Sequence, residues 1–181
     1  SKMYLSVIIP AFNEEKRLPR TLVEIDKYLR NQDYEYEIIV VSDGSKDRTA
    51  EIVKDFQSKI ANLKLINNKE NHGKGYAVRQ GMLEARGEIR LFTDADNSTS
   101  IDQVEKMFPY FKAGFDIVIG SRDVKGAVIA RPQPWIRRVI LGNGFNLLTQ
   151  IIVGLWGIWD TQCGFKGLTA DCAEDVLPRC K

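Results

Sequence analysis

Short apolar runs alternate with amphipathic stretches over the first 120 residues of the chain. The apolar runs are rich in β-branched residues and predict buried strands at residues 5–10, 36–41, 63–66, 89–93 and 115–120. Apolar residues three and four apart predict helices near residues 14–30, 45–59, 75–85 and 101–111. Because strands and helices alternate, the pattern predicts an α/β fold with a mostly parallel sheet flanked by helices.

Two aspartates, Asp94 and Asp96, directly follow the apolar run at 89–93. Carboxylates one residue apart repel each other, and desolvation adds to the cost of keeping both charged. A divalent cation removes both penalties, and Mg²⁺ or Mn²⁺ accepts such hard oxygen ligands together with substrate phosphates. The pair therefore predicts a metal–diphosphate site, although a solvated turn after a strand also explains two aspartates taken alone.

Polar or flexible residues follow the other predicted strands as well. They are Phe12 and Glu14, Asp43 and Gly44, and Ser121 and Arg122. In parallel sheets the carboxyl ends of the strands share one edge, which is where α/β proteins bind ligands. Each residue also fits a turn or a helix cap, with Asn13 suited to capping the helix near 14–30. Their convergence on one edge favours a single binding site.

Composition narrows the classes of protein that the chain fits. Its 181 residues suffice for one domain, and a net charge of +2 gives no support for nucleic acid as a partner. Cys163, Cys172 and Cys180 have neither disulfide-framework nor zinc-ligand spacing, which favours reduced thiols in the cytosol. We expect no signal peptide, because a strand pattern begins at once, and no apolar run reaches the length of a membrane span.

The character of the chain changes after Arg122. Residues 121–138 hold five basic side chains against one acidic side chain, and two prolines predict a loop. An apolar segment with three tryptophans follows at 135–159. An ordinary core helix explains this segment, but basic residues beside tryptophans also indicate an amphipathic helix lying on a membrane surface.

Six short motifs occur in a characteristic order along the chain. They are P-A-F-N-E-E at 10–15, V-V-S-D-G-S-K-D at 40–47, N-H-G-K-G at 71–75, D-A-D at 94–96, G-S-R at 120–122 and D-T-Q-C-G-F-K at 160–166. Together they resemble the family 2 glycosyltransferases with the GT-A fold, and within them the polyprenyl-phosphate sugar synthases. The last motif is more similar to dolichyl-phosphate glucosyltransferases than to dolichyl-phosphate mannose synthases.

The resemblance implies a role for each matched residue. It implies nucleotide-sugar binding by Pro10, Ala11, Phe12, Glu14, Asp43, Gly44, Lys74, Asp94 and Ala95, with Asp43 on the base. It implies a metal, Mg²⁺ or Mn²⁺, on Asp94 and Asp96, and catalytic roles for Asp96, Arg122, Arg131 and Arg138. Residues 1–122 would form the nucleotide-sugar-binding core, and residues 123–181 the acceptor side of the same domain.

The implied reaction transfers a hexose, with glucose favoured, from a nucleotide-diphosphate sugar to a polyprenyl phosphate at the cytoplasmic face of a membrane. A phosphate acceptor is already anionic at pH 7 and needs no general base, whereas a sugar hydroxyl needs one. Alternatives are a GDP-mannose donor in place of UDP-glucose, a saccharide acceptor, a sugar-phosphate nucleotidyltransferase and an inactive nucleotide-sugar-binding fragment.

Two features depart from the family pattern. Ser42 stands where an aspartate is usual, and Asp43 remains as the second of the pair. Family members usually continue beyond the position of Lys181, so the resemblance implies that the chain is truncated at its C-terminus. The oligomeric state is left open.

Overall fold

The computed structural model describes residues 2–120, 127–130 and 165–179, which form a seven-stranded sheet with helices on both faces. The strands are Leu5–Ala11 (β1), Tyr36–Asp43 (β2), Leu63–Asn68 (β3), Ile89–Thr93 (β4), Ile117–Gly120 (β5), Ala127–Ala130 (β6) and Phe165–Thr169 (β7). The helices are Leu18–Leu29 (α1), Thr49–Phe56 (α2), Lys74–Glu84 (α3), Phe108–Lys112 (α4) and Ala170–Val176 (α5), with 3₁₀ turns at Ile101–Lys106 and Leu177–Arg179.

The strand order is β3-β2-β1-β4-β7-β5-β6. Strands β1 to β4 pair in parallel, whereas β7 lies antiparallel between β4 and β5, and β6 is antiparallel to β5. The first five strands therefore point the same way, which confirms the prediction of an α/β fold with a mostly parallel sheet. The carboxyl ends of β1, β2 and β4 meet at one edge.

Both faces of the sheet are buried, which explains why its strands read as continuous apolar runs. Val7 and Ile9 of β1 pack on the side of α1 and α2, and Ile8 packs with α3 on the other side. Helix α3 approaches the sheet closely because Gly81 faces Ile8: a Cβ at Gly81 would lie 2.5 Å from Ile8 Cγ2.

Several predicted boundaries are wrong at the helix starts. Helix α1 begins at Leu18 rather than near Glu14, and Arg17 rather than Asn13 precedes its first residue. Asn13 has a positive φ of 53°, and its side chain accepts a hydrogen bond from the backbone of Lys46. The predicted cap is thus engaged in a contact between loops.

The helix predicted at 101–111 is divided in two. A 3₁₀ turn covers Ile101–Lys106, and α4 begins at Phe108 with Pro109 in its first turn. Proline has no backbone N–H to donate within a continuous helix, but it fits a first turn. Helix α2 is also shorter than predicted, because residues 45–48 lie in a loop.

Residues after 122 contribute two strands to the same sheet. Strand β7 begins within the D-T-Q-C-G-F-K motif, and β6 lies within a stretch predicted as a loop. The apolar segment at 135–159 lies outside the described residues. Among the helices that the structure describes, none has the length and hydropathy needed to span a bilayer.

Candidate active site

A cleft of about 430 Å³ opens at the carboxyl ends of β1, β2 and β4. Its described lining consists of Pro10, Ala11, Phe12, Glu14, Arg17, Asp43, Asn71, Gly73, Lys74, Ala77, Asp94, Ala95 and Asp96. These residues include every predicted nucleotide-sugar-binding residue except Gly44, together with both predicted metal ligands. The structure therefore brings the predicted residues together, in the crevice where ligands bind to α/β sheets.

The loops after β1 and β2 hold each other through reciprocal hydrogen bonds. Asn13 Oδ1 accepts from the backbone N–H of Lys46 at 2.8 Å, and Ser45 Oγ accepts from the backbone N–H of Asn13 at 3.1 Å. The backbone N–H of Glu14 donates to Thr49 Oγ1 at 2.9 Å. The two loop motifs are thus one unit, which fixes the wall of the cleft at Phe12 and Glu14.

Asp47 is the central acceptor of this loop pair. Its carboxylate accepts from the backbone N–H and the hydroxyl of Thr49, and from the backbone N–H of Glu15 at 3.1 Å. Burial by itself raises the pKa of Asp47, but these hydrogen bonds outweigh it and leave the pKa below its ordinary value. Asp47 therefore stays charged and holds the start of α2 against the loop after β1.

Asp43 anchors the opposite wall of the cleft. It is 3% exposed, and its Oδ2 accepts from the backbone N–H groups of His72 at 2.8 Å and Gly73 at 2.9 Å. Its Oδ1 accepts from Asn68 Nδ2 at 2.9 Å and lies 3.3 Å from His72 Nδ1. Asp43 thus positions the loop at 71–73, two of whose residues line the cleft.

Gly44 packs against the backbone of the same loop. Its φ is +74°, and a Cβ at this position would lie 2.4 Å from the backbone nitrogen of Asn71. Only glycine satisfies both the backbone conformation and the close approach. The predicted site residue Gly44 therefore shapes the wall of the cleft without lining it.

The two aspartates after β4 have different surroundings. Asp94 Oδ1 lies 2.6 Å from the ammonium of Lys74, which also lies over the ring of Phe92 at 5.2 Å. Asp96 is 38% exposed, and its Oδ1 accepts from the backbone N–H of Ser98 at 3.0 Å. Asp94 is thus closely paired with a cation, and Asp96 is the more open carboxylate.

Arg17 lines the cleft and was missed by the sequence analysis. It donates to both carboxylate oxygens of Glu14, and its Nη1 lies 4.0 Å from Asp96 Oδ2. The hydrogen bond and charge of Glu14 raise the pKa of Arg17, with smaller contributions from Asp96 and Asp94. The three-residue spacing of Glu14 and Arg17 was the available signal, since such pairs meet on a helical turn.

The donor set fits a divalent cation only with help from a ligand. No group of three or more histidine, cysteine or acidic residues in the described ranges is arranged to hold a metal ion. Asp96 nevertheless presents an exposed hard-oxygen carboxylate in the cleft. Mg²⁺ is commonly bound by one or two carboxylates with substrate phosphates and water, so the residues present fit Mg²⁺ or Mn²⁺ delivered with a diphosphate.

The predicted acceptor-side residues Arg122, Arg131 and Arg138 lie outside the described residues.

His72, the single histidine, stacks on Tyr76 with ring centroids 4.5 Å apart. Its backbone N–H and its ring both contact Asp43, so His72 helps to hold the loop at 71–73 in place.

Comparison with known proteins identifies the family. The sequence profile described as glycosyl transferase family 2 matches residues 6–176. The chain is 41% identical over 185 residues to dolichyl-phosphate beta-glucosyltransferase ALG5D of Trichomonas vaginalis, an alignment that covers 96% of this chain and 55% of the relative. The chain belongs to glycosyl transferase family 2. Its family resemblance, read from six motifs, is thereby confirmed.

Other members of the family show the same relationship. The dolichyl-phosphate beta-glucosyltransferases of Dictyostelium discoideum and Homo sapiens are 38% and 37% identical to this chain, over 97% and 94% of its length. The alignments cover 57% and 56% of those proteins. The chain thus spans about half the length of the curated relatives it matches.

Solved structures confirm the expected GT-A fold. TarS from S. aureus in complex with UDP-GlcNAc has a TM-score of 0.56 and 30% identity, covering 71% of this chain and 37% of TarS. Glucosyl-3-phosphoglycerate synthase from Mycobacterium tuberculosis has a TM-score of 0.57 over 93% of this chain and 57% of that protein. At 18% identity, the second comparison supports the fold alone.

Proposed function

We propose that this family 2 chain forms the donor-binding part of a metal-dependent, inverting hexosyltransferase. The donor is a nucleotide-diphosphate sugar, with UDP-glucose favoured, and the acceptor is a polyprenyl phosphate such as dolichyl phosphate. The observation that carries the proposal is the cleft at the ends of β1, β2 and β4, where the open Asp96 carboxylate and the paired Lys74 and Asp94 lie together. The names of the relatives support glucose as the sugar and dolichyl phosphate as the acceptor, and TarS in complex with UDP-GlcNAc supports a nucleotide-sugar donor.

Each wall of the cleft has a task in donor binding. On one wall, the loop pair held by Asp47 places Phe12 and Glu14 in the lining of the cleft. On the other wall, the loop at 71–73 is held by Asp43. We assign the nucleoside to the space between these walls. Lys74 lies beside Asp94, where its ammonium attracts the diphosphate. Lysine binds phosphate as a compact point charge, which suits a position already paired with one carboxylate.

Asp96 holds the metal in this proposal. A bound Mg²⁺ or Mn²⁺ supplies Lewis-acid stabilisation of the charge that develops on the leaving diphosphate. The protein's own part is to present Asp96 exposed in the cleft, with one oxygen fixed by the backbone of Ser98. Asp94 then orients Lys74. The sequence motif alone does not distinguish this role of Asp94 from the metal-binding role of Asp96.

The acceptor needs no general base. A phosphate monoester has a second pKa of about 6 and is mostly a dianion at pH 7, so it attacks the sugar without losing a proton to the protein. Its binding requires cations, and we assign that role to Arg122, at the end of the core, and to Arg131 and Arg138 in the acceptor-side part, residues 123–181. Guanidinium groups match phosphate geometry through two parallel hydrogen bonds.

We further propose that the acceptor side works at the cytoplasmic face of a membrane. Residues 121–138 are basic and the following segment carries tryptophans, a composition typical of peripheral contact with anionic lipid headgroups. A lipid-linked phosphate is presented at that surface, so the donor cleft and the acceptor would meet there.

The experiment that tests the function measures transfer of a labelled sugar from the nucleotide-sugar donor to the lipid acceptor. The protein is incubated with Mn²⁺, polyprenyl phosphate and either labelled UDP-glucose or labelled GDP-mannose, and the lipid fraction is analysed. We expect transfer from UDP-glucose, its loss in Asp96→Ala and its retention in Asp55→Ala, which changes an exposed aspartate on α2. Full transfer by Asp96→Ala would remove the metal assignment.

Three outcomes would replace the proposal. Label from GDP-mannose alone would reassign the sugar and base. Nucleotide-sugar binding without transfer would show that this part of the protein binds the donor and needs further elements for chemistry. Stabilisation by a nucleoside triphosphate rather than a nucleotide sugar, measured as a rise in Tm, would instead favour a nucleotidyltransferase.

A further inference from the structure

Arg17 lies in the cleft at a position that the proposed reaction leaves without a task. Its Nε donates to Glu14 Oε2 at 2.7 Å, and its Nη2 donates to Glu14 Oε1 at 2.6 Å. Glu14 is only 15% exposed at its side chain, so this two-point bond fixes the guanidinium firmly. Nη1 lies 4.0 Å from Asp96 Oδ2, too far for a direct hydrogen bond but close enough for an attraction between the two charges, which solvent weakens because the Arg17 side chain is 59% exposed. Glu14 thus holds a positive charge beside the proposed metal ligand.

The charges of the described lining explain why this position matters. Four carboxylates, those of Glu14, Asp43, Asp94 and Asp96, face two cations, Arg17 and Lys74, which gives a net charge of −2. Such a lining attracts a divalent cation and repels a diphosphate. Lys74 contacts Asp94 directly at 2.6 Å, so the nearest cation to Asp96 in the described lining is the guanidinium of Arg17.

We infer that Arg17 makes the cleft select a divalent cation that arrives with a diphosphate over one that arrives alone, an inference that rests on the proposed metal–diphosphate site. In the empty cleft the guanidinium partly neutralises Asp96 and opposes a divalent cation that arrives alone. A diphosphate that enters with the cation is attracted by the same guanidinium, so Arg17 favours the negatively charged complex of the two.

The test measures each ligand separately. Mn²⁺ affinity without nucleotide is measured by electron paramagnetic resonance, and UDP affinity in EDTA by calorimetry. Arg17→Ala is expected to bind Mn²⁺ about fivefold more tightly and UDP about fivefold more weakly. A change of about fivefold in affinity corresponds to the interaction energy of two unit charges 4 Å apart in surroundings close to water. A purely structural role for Arg17 would weaken both affinities, so the opposite signs identify a positioning residue.

Arg20→Ala is the matched control. Arg20 lies one turn further along α1, is 83% exposed at its side chain and pairs with Glu24 at 2.8 Å. We expect it to leave both affinities unchanged. Unaltered affinities in Arg17→Ala, or an equal change in Arg20→Ala, would overturn the inference.

A second variant separates the effect of losing the Arg17 charge from the effect of leaving the Glu14 carboxylate unpaired. The double variant Glu14→Gln with Arg17→Ala removes both charges, and we expect its Mn²⁺ affinity to remain above that of the wild type. A return to the wild-type value would assign the effect to the released Glu14 and overturn the inference. Absence of Mn²⁺ binding in every variant and in the wild type with UDP would instead refute the proposed metal site, and the inference with it.

Discussion

The ammonium of Lys74 lies 2.6 Å from Oδ1 of Asp94, so the first aspartate of the D-A-D motif is paired within the protein before any ligand is considered. Lys74 stands at the first position of α3, and Asp94 follows β4. The pair joins the start of α3 to the end of β4, the next element of the chain, at the point where the diphosphate is proposed to bind. Asp94 and Asp96 are therefore chemically distinct, although the motif presents them as equivalents.

Replacement of Lys74 tests this distinction. Lys74→Met removes the cation and leaves Asp94 unpaired beside the diphosphate, so we expect UDP to bind about 10- to 100-fold more weakly, in line with loss of one charged contact. Calorimetry of UDP binding in the presence of Mn²⁺ measures the change. Lys54→Met, which alters an exposed lysine on α2, serves as the control. Equal affinities in the wild type and Lys74→Met would show that Lys74 has no part in donor binding.

Gly44 and Gly73 provide a matched pair for the walls of the cleft. Both have positive φ, so alanine costs about 1–3 kcal/mol at either position. A Cβ at Gly44 also overlaps the backbone of Asn71, whereas nothing lies within 4 Å of a Cβ at Gly73. We expect Gly44→Ala to lower the free energy of unfolding by about a further 1–3 kcal/mol. Urea titration compares the two variants, and equal losses would contradict the close approach.

Glu37 makes the stability of the fold depend on pH. Its side chain is fully buried and accepts from Ser6 Oγ, from the backbone N–H of Arg86 and from Lys64. Burial raises the pKa of Glu37, but these partners together hold it below its ordinary value of 4.5. The charged form is favoured in the folded protein, so its stabilisation is present above about pH 4.5 and is lost as the pH falls through the folded-state pKa.

Glu37→Gln is expected to lower the free energy of unfolding by about 1–3 kcal/mol at pH 7, because a buried charge-assisted network loses its acceptor. The difference from the wild type should begin to shrink below about pH 4.5 and should be smallest below the folded-state pKa, where Glu37 is protonated in the folded protein as well. Thermal unfolding between pH 3 and pH 7 measures both effects. Glu51→Gln, in an exposed pair with Arg48, should change nothing measurable. A constant difference at all pH values would contradict the proposed titration.

Replacement of Ser42 is expected to maintain or raise the free energy of unfolding. Its hydroxyl is fully buried, and it has no hydrogen-bond partner within the described part of the chain. A buried unsatisfied hydroxyl costs stability, so we expect Ser42→Ala to unfold at the same free energy or up to about 1 kcal/mol higher. Urea titration measures this change. A marked loss of stability would reveal a partner for the hydroxyl.

The sequence predicted the fold well because apolar runs and periodicity are local properties. Nine predicted residues line the cleft: some were expected there because the carboxyl ends of parallel strands share one edge, and the family resemblance supplied the others. The sequence analysis assigned Asn13 to a helix cap because the contact between loops that engages Asn13 leaves no local signal. It missed Arg17, whose bond to Glu14 is local but whose approach to Asp96 is set by the fold. The mutual hydrogen bonds of residues 13–15 with residues 45–49 are separated by more than thirty positions and leave no periodic signal.

The amino-acid sequence by itself determined the family, the alternation of strands and helices, and the edge of the sheet at which the candidate site lies. Tertiary structure alone decided which carboxylate is paired and which is open. It placed Lys74 against Asp94 and Arg17 near Asp96, and it inserted β7 between β4 and β5. The physical reason is that charge pairing depends on distances between side chains, and folding sets those distances between segments that the sequence keeps apart.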